Sequence, residues 1–88
     1  MTLQEQATAM VLAERERQDA KWGYPQNNTP FEWVSILTEE VGEFAQAVND
    51  AYIRNAPTHE QIEQLRTEAK HVSAVAMSIL EHSLREES

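Results

Sequence analysis

Four side chains in two pairs carry the chemistry open to this chain. Glu40-x-x-Glu43 and Glu68-x-x-His71 each set two ligand-type groups three residues apart, a spacing that makes them neighbours on one face of a helix. At about 100° per residue, Glu40 falls inside an apolar arc with Trp33, Phe44, Ala47 and Ala51, and Glu43 sits at its edge beside Ile36. Glu68 falls among Val72, Val75 and Ile79, with His71 one turn on at the edge. A carboxylate on a buried face is costly unless something compensates it. A second carboxylate alone does not help, because close anions repel until one takes up a proton. A divalent cation resolves the conflict. Two facing antiparallel helices would then offer three carboxylates and one imidazole, with octahedral positions left for water and phosphate oxygens. The competing reading is ordinary: protonated or salt-bridged glutamates, with Arg54, Arg66 and Lys70 as partners, and His71 as a packing or surface histidine. Spacing alone leaves both open. His59, in a first turn, and His82, near a helix C-terminus where a cation is favoured, carry no such signal.

The elements that must position these groups are helices. Thr2 with Glu5, Thr29 with Glu32, and Thr58 with Gln61 fit the capping-box pattern. Pro30 stands where a first helical residue loses nothing by lacking an N–H. Turn-rich stretches at Gly23–Asn28 and Asn55–Pro57 separate the starts. The spacing therefore predicts helices over roughly 2–21, 30–54 and 58–85. The second helix carries Val34, Leu37, Val41, Phe44, Val48 and Tyr52 at three- and four-residue spacing. The third carries Leu65, Val72, Ala76 and Ile79, widened by Ile62, Ala69, Val75 and Leu80; the first is weaker, with Leu3, Ala7, Met10, Val11 and Ala13. The expected fold is a single all-α domain over residues 1–88, an antiparallel bundle of about three main helices. Wide apolar faces on so short a chain point to completion by a second copy, as a homodimer or homotetramer; a monomeric three-helix bundle is the alternative.

Composition narrows the chemistry further. With 88 residues there is room for one domain, and a chain this short often needs a partner to bury enough surface. It has no cysteine, so disulfides and thiolate metal sites are excluded, and oxygen and imidazole donors suit hard cations such as magnesium or manganese. The net charge of −8 argues against nucleic acid as partner, and is equally what solubility asks for. No apolar stretch approaches the ~20 residues of a membrane span. Met1–Gln6 show no basic region followed by an apolar run, so a cytoplasmic protein without a membrane partner is expected.

The segment Glu39-Glu40-Val41-Gly42-Glu43-Phe44-Ala45-Gln46-Ala47 closely resembles the E-E-V-G-E-x-A-x-A core of MazG-like nucleotide pyrophosphohydrolases. Glu14–Asp19 through Lys21-Trp22-Gly23 is similar to the lead-in of small members, and Leu65–Glu68 followed by Val72–Ala76 to their second metal-binding helix. The resemblance spans roughly residues 14–81. It implies an all-α oligomer that cleaves nucleoside triphosphates between the α- and β-phosphates, giving monophosphate and pyrophosphate. It further implies Glu40, Glu43 and Glu68 as magnesium ligands, with Glu39 holding an outer water or helping to activate the attacking one. The family pattern ends in aspartate where this chain has His71. Imidazole fits manganese, zinc or iron better than magnesium, so three outcomes stand: a softer metal, magnesium held by three acids and water, or loss of catalysis.

On the substrate side, Lys21 or Arg54 are candidates to meet phosphate, and Asp50 and Arg54 continue the Glu43 edge of the second helix. Trp22 and Trp33 are candidates to stack on a base, with core packing the plain alternative for Trp33. Two rival classes remain. Glu-x-x-His with a further glutamate is also the vocabulary of ferritin-like di-iron bundles, and a decayed site would leave a non-catalytic helical interaction module.

Overall fold

Three threonine-led capping boxes start the three helices of the computed structural model, which describes residues 1–53 and 56–87. Helix α1 spans Leu3–Trp22, α2 spans Pro30–Tyr52 and α3 spans His59–Glu87. At α2 the Thr29 hydroxyl accepts from the Glu32 N–H at 3.2 Å while Glu32 Oε1 accepts from the Thr29 N–H at 2.8 Å. Thr2/Glu5 and Thr58/Gln61 repeat the exchange, so each helix start has a donor pair satisfied locally. Helix α1 ends at Gly23, which adopts φ 89° and ψ 164° while its N–H donates to the Asp19 carbonyl at 2.8 Å. That region of backbone space is essentially glycine's alone.

Helix α3 is the spine: α1 and α2 each pack on it and not on one another. Helix α2 runs antiparallel to α3, whereas α1 runs in the same sense, with Glu14 reaching His71 and Tyr24 stacking under Arg85. The all-α bundle expected from the sequence is the observed architecture. None of its described helices is long and apolar enough to cross a membrane.

The packing faces differ from those the periodicity suggested. On α2 the buried residues are Trp33, Ala47 and Ala51, which share the arc around Glu40. The stripe centred on Val34, Val41 and Tyr52 lies roughly a third of a turn away and is exposed; Leu37, Phe44 and Val48 are half-buried between the two. The reason is steric. Small alanines let α2 approach α3 closely, and the larger residues flank that seam.

Helix α1 departs further. Leu3, Ala7 and Ala13 are exposed, and its buried residues are Glu14, Arg15 and Gln18. Its contact with α3 is polar. The Arg15 guanidinium grips both carboxylate oxygens of Glu81, at 3.1 and 3.0 Å, and donates to Asp19 at 2.7 Å. The described buried apolar core is small: Trp33, Ala47, Ala51, Ala74 and Val75. The radius of gyration is 14.6 Å, against about 12 Å for a compact domain of this length, as befits helices that leave broad faces uncovered.

Candidate metal centre

Where the middle of α2 crosses α3, the two pairs singled out by spacing meet. One ligand atom from each of Glu40, Glu43, Glu68 and His71 lies within 4.8 Å of the others. Ligands on opposite sides of a magnesium-sized cation stand about 4.2 Å apart, so at 4.8 Å the cluster is more than half an ångström wider than a bound ion demands. His71 Nδ1 faces Glu68 Oε2 at 3.5 Å and Glu40 Oε2 at 3.6 Å. Both of those oxygens are shut off from solvent and neither has a hydrogen-bond partner. Glu68 is 8% exposed, and its other oxygen accepts from Gln64 Nε2 at 2.9 Å. Burial, then the neighbouring Glu43, pushes the Glu40 carboxyl above the usual carboxylate range. Glu43 is exposed at the rim. Orphaned, buried, converging oxygens are what a cation would satisfy, and three carboxylates with one nitrogen fit a hard or borderline divalent ion.

Beside this cluster lies a cleft of about 490 Å³ lined by Trp22, Asn27, Asn28, Trp33, Glu39 and Glu40, among others. Glu40 thus belongs to both the cluster and the cleft, and Glu39 is exposed at its edge. Trp22 is 56% exposed, with the Lys21 ammonium 4.8 Å from its ring centre. Trp33 is 4% exposed, and its Nε1 has no hydrogen-bond partner; it is both core and cleft wall. Lys21, Trp22, Trp33 and Glu39 therefore gather at one end of the site. Asp50 does not join them. It accepts from Gln46 at 2.9 Å and lines a separate hollow with Gln61 and Gln64. Arg54 lies outside the described residues.

Glu14, Arg17 and Gln18, which the sequence placed only in a lead-in segment and gave no role at the site, stand next to the centre. Glu14, on α1, is 6% exposed and places Oε2 3.7 Å from His71 Nε2. Arg17 holds that carboxylate, its Nε at 3.0 and 3.1 Å from the two oxygens and its Nη2 at 2.7 Å from Oε2; Gln18 Nε2 adds a bond at 3.2 Å. The Arg17 guanidinium keeps the Glu14 carboxyl below the usual range. No local pattern could have revealed the link, because α1 reaches α3 only through the fold. No family model, curated protein or solved structure matches the chain.

Proposed function

We propose that the chain is a divalent-metal-dependent pyrophosphohydrolase of nucleoside triphosphates. The observation that carries this reading is the convergence of Glu40, Glu43, Glu68 and His71, with two buried and unpartnered oxygens, beside a cleft of about 490 Å³. The resemblance of Glu39–Ala47 to the pyrophosphohydrolase core supports the choice of reaction. In this reading Glu40, Glu43, Glu68 and His71 hold magnesium or manganese, and the nitrogen tilts preference toward manganese. When bound, such a cation neutralises triphosphate charge and acidifies a coordinated water.

The chain's own residues supply position and proton handling. Trp22 offers an exposed ring to a nucleobase, and Lys21 brings positive charge to the same mouth of the cleft. Glu39 accepts the proton of the attacking water as the water oxygen bonds to the α-phosphorus. The bond from that phosphorus to the α–β bridging oxygen breaks, and its electron pair leaves with pyrophosphate. The exposed Val34–Val41–Tyr52 stripe of α2, with Leu80 and Leu84 on α3, is covered by a second copy of the chain in a homo-oligomer. Light scattering coupled to gel filtration reads that state.

A product assay tests the reaction. Purified protein, each nucleoside and deoxynucleoside triphosphate, and manganese or magnesium should yield monophosphate plus pyrophosphate. Orthophosphate plus diphosphate, or no turnover with either metal, contradicts it. The Glu-x-x-His pair favours one second reading, a ferritin-like iron site, which iron content and a near-ultraviolet band after purification would reveal.

A further inference from the structure

The His71 imidazole is held between two sets of carboxylates. Its Nδ1 faces Glu40 and Glu68, the orphaned oxygens of the cluster, and its Nε2 faces Glu14 from the opposite side. The three acids come from three different helices, so the ring sits where the whole bundle meets. Glu14 is not placed as a further ligand. Both its oxygens are already engaged by Arg17, and Gln18 holds Oε2 as well; the carboxylate is buried, fixed and anionic. Neutral imidazole carries its single proton on one nitrogen, and a hydrogen-bond acceptor at one end decides which nitrogen is left free to bind a metal.

We infer that Glu14 is a positioning residue of the centre: from α1 its Oε2 stands 3.7 Å behind His71 Nε2, and its charge draws the ring proton to that nitrogen and so favours Nδ1 as the atom offered to the cation. The inference rests on the metal-centre reading and extends it to a residue outside the two ligand-bearing helices. It also gives α1 a role. The helix packs through a polar face because that face carries the Glu14–Arg17–Gln18 brace rather than a hydrophobic stripe. Histidine at the fourth ligand position then goes together with an acid behind it, whereas a carboxylate at that position would meet Glu14 as a like charge.

The test is a double-substitution cycle read as manganese affinity by calorimetric titration, with Glu14→Gln, His71→Asp and the pair. With His71 present, Glu14→Gln should weaken manganese about 10-fold or more, the usual cost of losing such an outer partner. In the His71→Asp background the same change should cost nothing or improve affinity, because Glu14 then only repels. Equal losses in both backgrounds, or no loss with His71 present, would overturn the inference. Long-range ¹H–¹⁵N correlation of the metal-free protein reads the tautomer directly and does not depend on metal binding. The share of His71 carrying its proton on Nε2 should fall in Glu14→Gln relative to the wild type; an unchanged share overturns the proposal even where the wild type binds manganese. Conversely, a wild type that ignores manganese but shows the tautomer shift removes the metal reading and leaves the Glu14–His71 brace standing. Should Glu14→Gln not fold, Glu14→Asp, which keeps the charge but draws the carboxylate back by one methylene, should shift the tautomer ratio the same way; an unshifted ratio there counts against the proposal.

Discussion

Glu40 and Glu68, on facing helices, each turn a solvent-excluded oxygen without a hydrogen-bond partner toward the same atom, His71 Nδ1, at 3.6 and 3.5 Å. Everything proposed about chemistry follows from that convergence. It places negative charge where water cannot screen it, and it does so at the wall of a cleft that also presents Trp22.

Trp22 should contribute to substrate affinity more than to the chemical step. Its ring is exposed beside the cleft, and stacking of a base on an aromatic is worth about 1–3 kcal/mol. Trp22→Ala is expected to raise KM about tenfold with kcat little changed. A fall in kcat at constant KM would place Trp22 elsewhere in the mechanism.

The polar seam between α1 and α3 should be sensitive to loss of its cation. Arg15→Ala leaves Asp19 and Glu81 facing one another without the guanidinium they share. Breaking a fully buried pair costs about 3–5 kcal/mol, and Glu81 is 32% exposed, so a loss of about 2 kcal/mol is expected in urea unfolding. Leu3→Ala, at an 83% exposed position, should change stability by less than about 0.5 kcal/mol. A reversed order would mean that α1 packs through its apolar residues after all.

Gly23→Ala tests the joint between α1 and the loop that forms the cleft. A Cβ there meets nothing within 4 Å, so the cost is backbone conformation alone. At φ 89° and ψ 164° the expected destabilisation is about 1–3 kcal/mol. Thermal unfolding with no loss would show that the turn has an alternative conformation open to alanine.

The capping box of α2 gives a signed pH dependence. Hydrogen bonds from Thr29, the backbone N–H first, hold the Glu32 carboxyl below its ordinary value. A carboxylate with a depressed folded-state pKa contributes stability above its unfolded pKa and loses it as pH falls through the folded one. Glu32→Gln keeps the cap geometry but not the charge. The stability advantage of wild type over this variant should therefore be present at neutral pH and vanish under acid, below the usual glutamate range. An advantage that grows on acidification would contradict the assignment.

The parts of this structure legible in the sequence were those written in local chemistry. Thr2, Thr29 and Thr58 mark helix starts because a cap is satisfied within four residues. Glu40 and Glu68 were legible because a charge inside an apolar arc stands out at helical period. Helix α1 was not, since its buried face is Glu14, Arg15 and Gln18 and hydrophobic periodicity says nothing about a polar seam. The α2 stripe misled for a related reason: Ala47 and Ala51 are weakly hydrophobic yet buried, while Val34 and Tyr52 are strongly apolar and exposed. Glu14 at His71 is a relation between chain segments far apart in sequence, which no window along the chain contains. Asp50 continued the Glu43 edge of α2 on paper, but its carboxylate bonds Gln46 within α2 and its carbonyl accepts from Gln61 of α3, away from the cluster.

The central claim is that this acid–imidazole cluster binds a divalent cation, and the most direct measurement is the thermal midpoint with and without manganese. A ligand at about 100 times its dissociation constant stabilises by about 2.7 kcal/mol, which for a domain of this size raises the midpoint by roughly 10–20 °C. The wild type should show that rise saturably, and Glu68→Gln should fold as well as the wild type without metal yet lose most of it. A wild-type midpoint indifferent to manganese and magnesium, or a rise undiminished in Glu68→Gln, would contradict the claim.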